Sequence, residues 1–304
     1  MKEMIEYNYN VRIDDICEGD CSIFFESNLK LYLLVKYKRN LKDLEDIVKI
    51  SCELKQKNIT SYDIILNKDN KIIALIDNEN YILLLLNNTY KEYLDIIDII
   101  KYNDKTKIYN HSEYKNNWDI LWSEKNDYFE YQMQEIGCMK KIIKQSMNYF
   151  LSLAENAISL VKKINKNSNY GKGENIVLSH RRIFYPNYEL NYFNPISYII
   201  DLEVRDVAEY IKAAFYKKEN AILELETYLK SVKLSNYMYQ MLYARLLYPT
   251  NYFDLYEKVI NYEESEEILI NIISRVRDYE LFLKDCYILI TKYCNIENIE
   301  WLNN

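Results

Sequence analysis

The feature that most constrains the fold of this chain is a change in hydrophobic pattern near residue 88. Before that point, short apolar runs alternate with turns rich in Asn, Asp and Lys; beyond it, apolar residues recur at helical spacing over long stretches. A chain of 304 residues is long enough for two lobes or domains. The pattern therefore predicts a small N-terminal lobe over residues 1–88 and a helical C-terminal lobe over residues 89–304.

The first region has the pattern of an antiparallel sheet that carries one helix. Two apolar runs, at 22–25 and 31–35, precede residues 40–57, in which apolar residues share one helical face and Asn40 is a suitable N-cap. Three further apolar runs are separated by turn residues and occupy Tyr62–Leu66, Ile72–Ile76 and Tyr81–Leu86. The predicted order is strand, strand, helix and then three strands.

The second region is predicted to be mainly helical. Helical spacing covers residues 92–100, 118–137, 140–164 and 205–216 and continues towards the end of the chain. A polar loop at 165–173 interrupts it, and two short apolar runs, 176–178 and 198–200, lie on either side of a polar segment. His180, Arg182 and Asn187 lie in that segment, and Asp201 directly follows the second run.

Composition excludes several classes of function. Lys and Arg total 39 against 46 Asp and Glu, a net charge of −7, which disfavours a broad surface for nucleic acid or anionic membrane. No apolar run reaches the ~18 residues of a transmembrane segment. The phosphate-binding patterns GxxxxGK[ST] and GxGxxG are absent from a chain with four Gly. Because the six Cys are scattered and no signal-peptide pattern is found, we expect reduced thiols and synthesis in the cytoplasm.

The polar segment carries the frame of a kinase catalytic centre. His180 and Asn187 have the spacing of H-x-D-x-x-x-x-N, and Asp201 follows an apolar run, as in many small-molecule kinases. A His and an Asn at this spacing also occur by chance in an Asn-rich chain, but Asp201 and the helix that opens after it make the pattern more specific. Asn187 and Asp201 are therefore the predicted nucleotide-binding and Mg²⁺-binding residues.

The frame lacks its acid, because the position two residues after His180 is Arg182. A guanidinium stays protonated, so it cannot accept a proton from an acceptor hydroxyl, and it would repel a nearby metal ion. It is instead suited to pair with a phosphate or a carboxylate. The sequence therefore predicts no catalytic residue here and a structural role for His180 in the loop.

Two other features have competing interpretations. Lys36 ends the apolar run 31–35, as the strand Lys of a kinase small lobe does, and is the third predicted nucleotide-binding residue; a solvated Lys at a strand end is the alternative. Trp118 and Trp122 lie four residues apart on one helical face, where packing in the core is favoured over stacking against a ligand.

Several segments together resemble the spore coat kinase-like proteins of the CotS and YutH type, most of all YutH, which are related to aminoglycoside phosphotransferases and choline kinases. These segments run in order across most of the chain: Trp118–Trp122 with the helix after it, Tyr149–Ile158, Leu178–Arg182, Asp201–Ile211, Tyr243–Pro249 and Tyr252–Phe253.

The resemblance implies an α+β, protein-kinase-like bilobal fold, with a small lobe of sheet and helix and a large, mainly helical lobe. It also implies ATP and Mg²⁺ as the ligands of such a fold, location in the endospore coat after cytoplasmic synthesis, and other coat proteins as partners. The chain departs from the phosphotransferase pattern at Arg182, where active relatives carry Asp, and in the missing Gly-rich loop. That departure puts catalysis in question rather than the fold.

Three functions remain open at this point. The favoured one is a catalytically impaired pseudokinase of the spore coat that binds a coat component or a nucleotide. The second is an active small-molecule phosphotransferase that uses ATP, Mg²⁺ and a non-standard base. The third is a helical interaction protein unrelated to kinases, which predicts no small N-terminal sheet.

Overall fold

A computed structural model of the chain describes residues 1–18, 22–57, 59, 62–86, 93–108, 116–135, 140–167, 175–183, 187–188 and 192–303. The chain forms two compact units. Unit 1 consists of residues 1–94 and 187–199, and unit 2 of residues 95–186 and 200–304.

Unit 1 is built on a six-stranded antiparallel sheet. The strands run in the order β1, β2, β3, β6, and the far edge of β6 pairs with both β4 and β5. Their bounds are β1 Asp15–Glu18, β2 Ser22–Ser27, β3 Lys30–Lys36, β4 Tyr62–Ile65, β5 Ile73–Ile76 and β6 Glu79–Leu86. A short pair, β7 Tyr93–Leu94 and β9 Asn187–Tyr188, also belongs to this unit. The predicted strands are present, and β1 is an addition.

Two tight turns fix the register of the sheet. β2 continues into β3 through Asn28 and Leu29, whose φ angles are 51° and 61°, and β5 continues into β6 through Asp77 and Asn78, at 50° and 63°. Two central residues with positive φ are typical of the turn whose twist matches that of the strands, and Asn and Asp tolerate this conformation better than most residues. Leu29 adopts it with its side chain fully exposed.

Two helices complete unit 1. Helix α1, Lys2–Tyr9, buries Ile5 and Tyr9 in one core with sheet residues such as Phe25. Helix α2, Leu44–Gln56, follows a 3₁₀ turn at which the Asn40 side chain accepts a hydrogen bond from the Lys42 backbone N–H, as expected of an N-cap. This is the helix predicted between the second and third strands of the sequence.

Unit 2 is mainly helical. Its helices are α3 Ile96–Thr106, α4 Trp118–Glu135, α5 Lys141–Asn167, α6 Val204–Tyr216, α7 Ala221–Ser231, α8 Asn236–Leu247, α9 Thr250–Ile260, α10 Ile270–Ile273, α11 Val276–Ile290 and α12 Glu300–Asn303. The prediction of a helix over 92–100 was wrong about where the helix begins, because the observed helix begins at Ile96. A reciprocal capping box between Asp95 and Asp98 begins α3 at Ile96, and Tyr93 lies in β7.

Helix α8 is the centre of unit 2. It is buried along nearly its whole length, and both α5 and α6 pack against it. Strand β8, Ile176–His180, pairs with β10, Tyr198–Leu202, whose last three residues belong to unit 2. These elements bring His180 and Asp201 to the start of α6. Among the described helices, none has both the length and the apolar character that crossing a membrane requires.

Candidate functional site

The Asp201 carboxylate lies near the end of β10 and is 6% exposed. The indole N–H of Trp118 donates to its Oδ1 at 3.0 Å and to its Oδ2 at 3.2 Å, and the Leu202 backbone N–H donates to Oδ1 at 2.8 Å. Arg205 Nη1 donates to Oδ2 at 2.7 Å. Both oxygens are therefore engaged by protein donors, one of them a guanidinium.

The described partners of Asp201 are protein N–H donors, and its role as a Mg²⁺ ligand remains a prediction. Mg²⁺ is bound by oxygen atoms in near-octahedral geometry, whereas Asp201 faces N–H donors and a cation. Among the described residues, no cluster of three or more His, Cys, Asp or Glu is arranged to hold a metal ion. The Asn187 side chain, the other predicted ligand, lies outside the described part of the chain; only its backbone, paired with Leu94, is described.

His180 ends β8 and is 1% exposed. Its backbone N–H donates to Asp206 Oδ1 at 3.1 Å, and its ring Nδ1 lies 2.6 Å from Asp206 Oδ2. Because a carboxylate only accepts, Nδ1 carries the proton of that hydrogen bond. Arg205 Nε also donates to the His180 backbone oxygen, at 3.1 Å. His180 thus links β8 to the first turn of α6 through both its backbone and its ring.

Arg182 follows β8 and pairs with a carboxylate of α9. Its Nη2 lies 2.5 Å from Asp254 Oδ1, and both side chains are about one-third exposed. Burial by itself would lower the pKa of Arg182, but the neighbouring Asp254 carboxylate raises that pKa above its ordinary value. The guanidinium therefore stays protonated. The position two residues after His180 is therefore occupied by a cation that has a carboxylate partner of its own.

A buried ionic triad lies beside this region. Glu209 Oε1 accepts hydrogen bonds from Lys212 Nζ at 3.0 Å, Arg245 Nε at 2.6 Å and the Thr250 hydroxyl at 3.1 Å. Lys212 completes its three donors with the Tyr248 backbone oxygen and the Thr250 Oγ1 atom. Lys212 is 0%, Arg245 4% and Glu209 6% exposed, so the triad joins α6, α8 and the start of α9 inside the unit.

The charges of the triad shift the pKa values of its members. Burial alone raises the pKa of Glu209, but Lys212 and Arg245 together outweigh burial and hold it well below its ordinary value. Burial lowers the pKa of Lys212 to about 8, even though Glu209 opposes that change. At neutral pH the triad therefore contains two cations and one anion.

A cavity of about 350 Å³ opens in unit 2 between α4, the start of α6, the end of α8 and α9. Arg182, Arg205 and Arg245 line it together with aromatic side chains that include Trp118 and Trp122. The two indoles are stacked with centroids 5.3 Å apart and are 2% and 4% exposed, so the predicted core packing is observed. The same pair also forms one wall of the cavity.

The predicted site residues are divided between the two units. His180, Arg182 and Asp201 belong to unit 2, where Arg205 bonds to both His180 and Asp201 and lies in the cavity with Arg182. Lys36 belongs to unit 1, at the end of β3, where its Nζ lies 2.6 Å from Glu79 Oε1 of the adjacent β6. Its assignment to a nucleotide remains a prediction, as do those of Asn187 and Asp201.

Sequence reasoning did not identify Glu209, Lys212, Arg245 and Asp254 as members of the site. A signal was present for two of them: Lys212 lies between Ile211 and Ala213, and Arg245 lies between Ala244 and Leu246. A charged residue in an otherwise apolar helical stretch predicts a buried ion pair, because Lys and Arg are almost never fully buried without a partner.

Comparison with known proteins identifies the family. A sequence profile described as "Spore coat putative kinase YutH" matches residues 2–286. The chain belongs to this family. Among curated proteins, the endospore coat-associated protein YutH of Bacillus subtilis is 28% identical over 164 residues. That match spans 49% of this chain and 48% of the relative, about half the length of each.

Solved structures identify the fold of this family member. An aminoglycoside phosphotransferase from Alicyclobacillus acidocaldarius superposes with a TM-score of 0.62 over 94% of this chain and 95% of that chain, at 8% identity. A microcompartment-associated aminopropanol kinase gives 0.54 over 95% of each chain, at 9% identity. A spectinomycin phosphotransferase in complex with ADP and spectinomycin gives 0.53 over 99% and 96%, at 11% identity.

These comparisons confirm the predicted family and the predicted α+β, protein-kinase-like fold, with an antiparallel sheet in the N-terminal region and a mainly helical C-terminal region. They contradict the third hypothesis, a helical interaction protein unrelated to kinases. That hypothesis predicted no small N-terminal sheet, and the chain has a six-stranded one.

The triad predicts a measurable pH dependence of stability. A carboxyl group whose folded-state pKa is depressed contributes stability that is fully present above its unfolded pKa and is lost as the pH falls through its folded pKa. The pKa of Glu209 is depressed in this way. We therefore expect the difference in Tm between wild type and Glu209→Gln to narrow from about pH 6 to about pH 3, measured by circular dichroism. A constant difference over that range would contradict the assignment.

Proposed function

We propose that this member of the YutH family is a pseudokinase, a coat-associated protein with a kinase-like fold that binds a coat component or a nucleotide without transferring phosphate. The observation that carries the proposal is the state of Asp201, whose carboxylate is engaged by Trp118, Arg205 and the Leu202 backbone N–H. Phosphoryl transfer depends on metal ions and positioned groups that stabilise the developing charge. A carboxylate held by a guanidinium is poorly suited to that role.

The second support for the proposal is Arg182. The position two residues after His180 is expected to orient and deprotonate the acceptor hydroxyl, and here it holds a protonated guanidinium paired with Asp254. The two departures reinforce each other, since one concerns the metal and the other the proton. The coat assignment rests on the family and on the endospore coat-associated relative.

The proposal predicts no phosphotransfer by the purified full chain. With radiolabelled ATP, Mg²⁺ and a panel of hydroxyl-bearing amines, we expect label transfer by wild type to equal that of Asp201→Asn and of a protein-free reaction. Arg182→Asp is also expected to stay at background, because it restores an acid but leaves Asp201 bonded to Trp118 and Arg205. Turnover by wild type that disappears in Asp201→Asn would defeat the proposal.

One observation favours a second candidate, an active small-molecule phosphotransferase with a non-standard base. Asp254 lines the cavity beside Arg182, and burial raises its pKa, an effect that Arg182 only partly offsets. A carboxylate with a raised pKa is better suited to accept a proton near neutral pH. This candidate predicts Mg²⁺-dependent turnover that Asp254→Asn removes, whereas the pseudokinase predicts that Asp254→Asn and wild type are indistinguishable in the same assay.

A further inference from the structure

We infer that the cavity of unit 2 binds a small oxyanion, a carboxylate or phosphate group on an apolar or aromatic body, and that Arg245 is its main anchor. This inference goes beyond the proposed function, since it requires neither a nucleotide nor phosphotransfer. It depends only on residues of unit 2.

The first step of the argument is the unused hydrogen-bonding capacity of Arg245. The residue is 4% exposed and lines the cavity. Its Nε donates to Glu209, but neither terminal nitrogen has an acceptor among the residues that the structure describes. Its guanidinium carbon lies 5.1 Å from the centroid of Trp118 and 5.4 Å from that of Trp122, so both indoles pack against the group. A guanidinium held in this way presents two donors to a carboxylate or phosphate.

The second step is the charge balance around Arg245. Glu209 is shared between Arg245 and Lys212, so these three buried residues carry one positive charge in excess. The other two arginines of the cavity are each paired, Arg182 with Asp254 and Arg205 with Asp201. At the rim, Lys125 Nζ pairs with Glu257 Oε1 at 3.3 Å, and Glu124 is exposed to water, so the positive excess is confined to the buried group. A ligand with a negative charge would neutralise the excess.

The repulsion between Arg245 and Arg205 also favours an anionic ligand. Burial, followed by repulsion from Arg205, lowers the pKa of Arg245, so the two guanidinium groups destabilise each other in the ligand-free protein. An oxyanion placed between them would relieve that repulsion, and in a partly desolvated cavity its charge-assisted hydrogen bonds would be stronger than in water.

The third step concerns the body of the ligand. Apart from the arginines, the walls are mostly apolar and aromatic, and include Leu121, Trp122 and Phe253. The Tyr248 hydroxyl is buried in the same wall and has no hydrogen-bond partner within the described residues. A volume of about 350 Å³ suits a ligand of a few to a dozen or so heavy atoms. The lining therefore fits an oxyanion attached to a small apolar group.

The test uses isothermal titration calorimetry on the full chain with four probes: benzoate, phenyl phosphate, inorganic phosphate and the neutral benzamide. We expect benzoate, phenyl phosphate or both to bind at one site, and benzamide to bind at least about tenfold more weakly, because it cannot neutralise the excess charge. Benzoate alone would assign a carboxylate ligand, and phenyl phosphate alone a phosphate ester. Tighter binding of inorganic phosphate than of either aromatic anion, equal binding of benzamide, or no binding at all would overturn the inference.

Variants locate the site. Arg245→Lys keeps a cation beside Glu209 but removes the planar pair of donors, so we expect it to raise the Kd of the bound anion at least about tenfold. Tyr248→Phe removes only an unpartnered hydroxyl and should raise the Kd about threefold without loss of fold. The matched control is Arg275→Lys. Arg275 also lies over an aromatic ring, that of Phe215, and donates to backbone oxygens away from the cavity, so the Kd should not change.

Circular dichroism shows which variants fold. If Arg245→Lys is folded and binds the anion as tightly as wild type, the assignment of Arg245 is overturned. If Arg245→Lys does not fold, Tyr248→Phe decides the question, and an unchanged Kd in that variant overturns the site.

Discussion

Glu209→Gln is expected to lower the free energy of unfolding by about 3–5 kcal/mol, because it leaves two buried cations without their shared anion. Lys212 is 0% exposed, and Arg245 is 4% exposed at the wall of the cavity, so neither side chain recovers its full hydration. Part of the cost is relieved if Lys212 releases its proton, since burial already lowers its pKa to about 8. The deficit should therefore be smaller at about pH 9 than at about pH 7. Urea denaturation of both proteins at the two pH values measures it.

Two controls separate the triad from a general effect of removing a carboxylate. Glu226→Gln breaks an exposed ion pair with Lys230 on α7 and should leave the unfolding midpoint unchanged. Adding Lys212→Met to Glu209→Gln removes one of the stranded cations and should recover stability relative to Glu209→Gln alone. A Glu209→Gln protein as stable as wild type would show that the triad is not buried as described.

The strands of unit 1 were predictable where apolar runs alternate with turn residues. β4, β5 and β6 fill the core from runs separated by Asn and Asp, and the positive φ angles at Asp77 and Asn78 are what those residue types favour. Strand β1 was missed for a physical reason. Among its described side chains, only Ile16 packs against the core, between the exposed Asp15 and Cys17, so the alternation covers too few residues to predict a strand that pairs with β2 through its backbone. Backbone pairing at a sheet edge leaves little trace in a sequence.

The sequence predicted the candidate site residues from their spacing, but not the hydrogen bonds and ion pairs that connect them. The motif in the sequence identified His180, Arg182 and Asp201, and all three lie in unit 2. The partners that decide what Asp201 does, Trp118 at 83 positions' distance and Arg205 at four, become evident only when the chain is folded. The sequence of 187–199 likewise contains no signal that this segment joins unit 1. Local patterns predict elements, whereas long-range contacts determine which charged groups meet.

Asp201→Ala provides the second large expected effect, a loss of about 2–4 kcal/mol in the free energy of unfolding. Alanine would leave the Trp118 indole N–H without its acceptor and Arg205, whose side chain is 12% exposed, without its charge partner. Asp201→Asn keeps an oxygen for Trp118 and for the Leu202 backbone N–H but loses the charge, so its loss should be smaller. Urea denaturation of the three proteins, with and without Mg²⁺ and ATP, measures the order of their free energies of unfolding and the effect of the ligands on each.

The sign of this effect distinguishes a structural carboxylate from a metal ligand. A carboxylate kept for a metal ion is commonly costly to the unliganded fold, so removing it leaves stability unchanged or raises it and abolishes stabilisation by the metal nucleotide. A carboxylate that satisfies a buried indole and a guanidinium has the opposite signature, a loss of stability that Mg²⁺ and ATP do not alter. The contrary result has two parts: Asp201→Ala is at least as stable as wild type, and Mg²⁺–ATP stabilises wild type alone. That result would assign Asp201 as a kinase metal ligand. The pseudokinase proposal would then lose the observation that carries it.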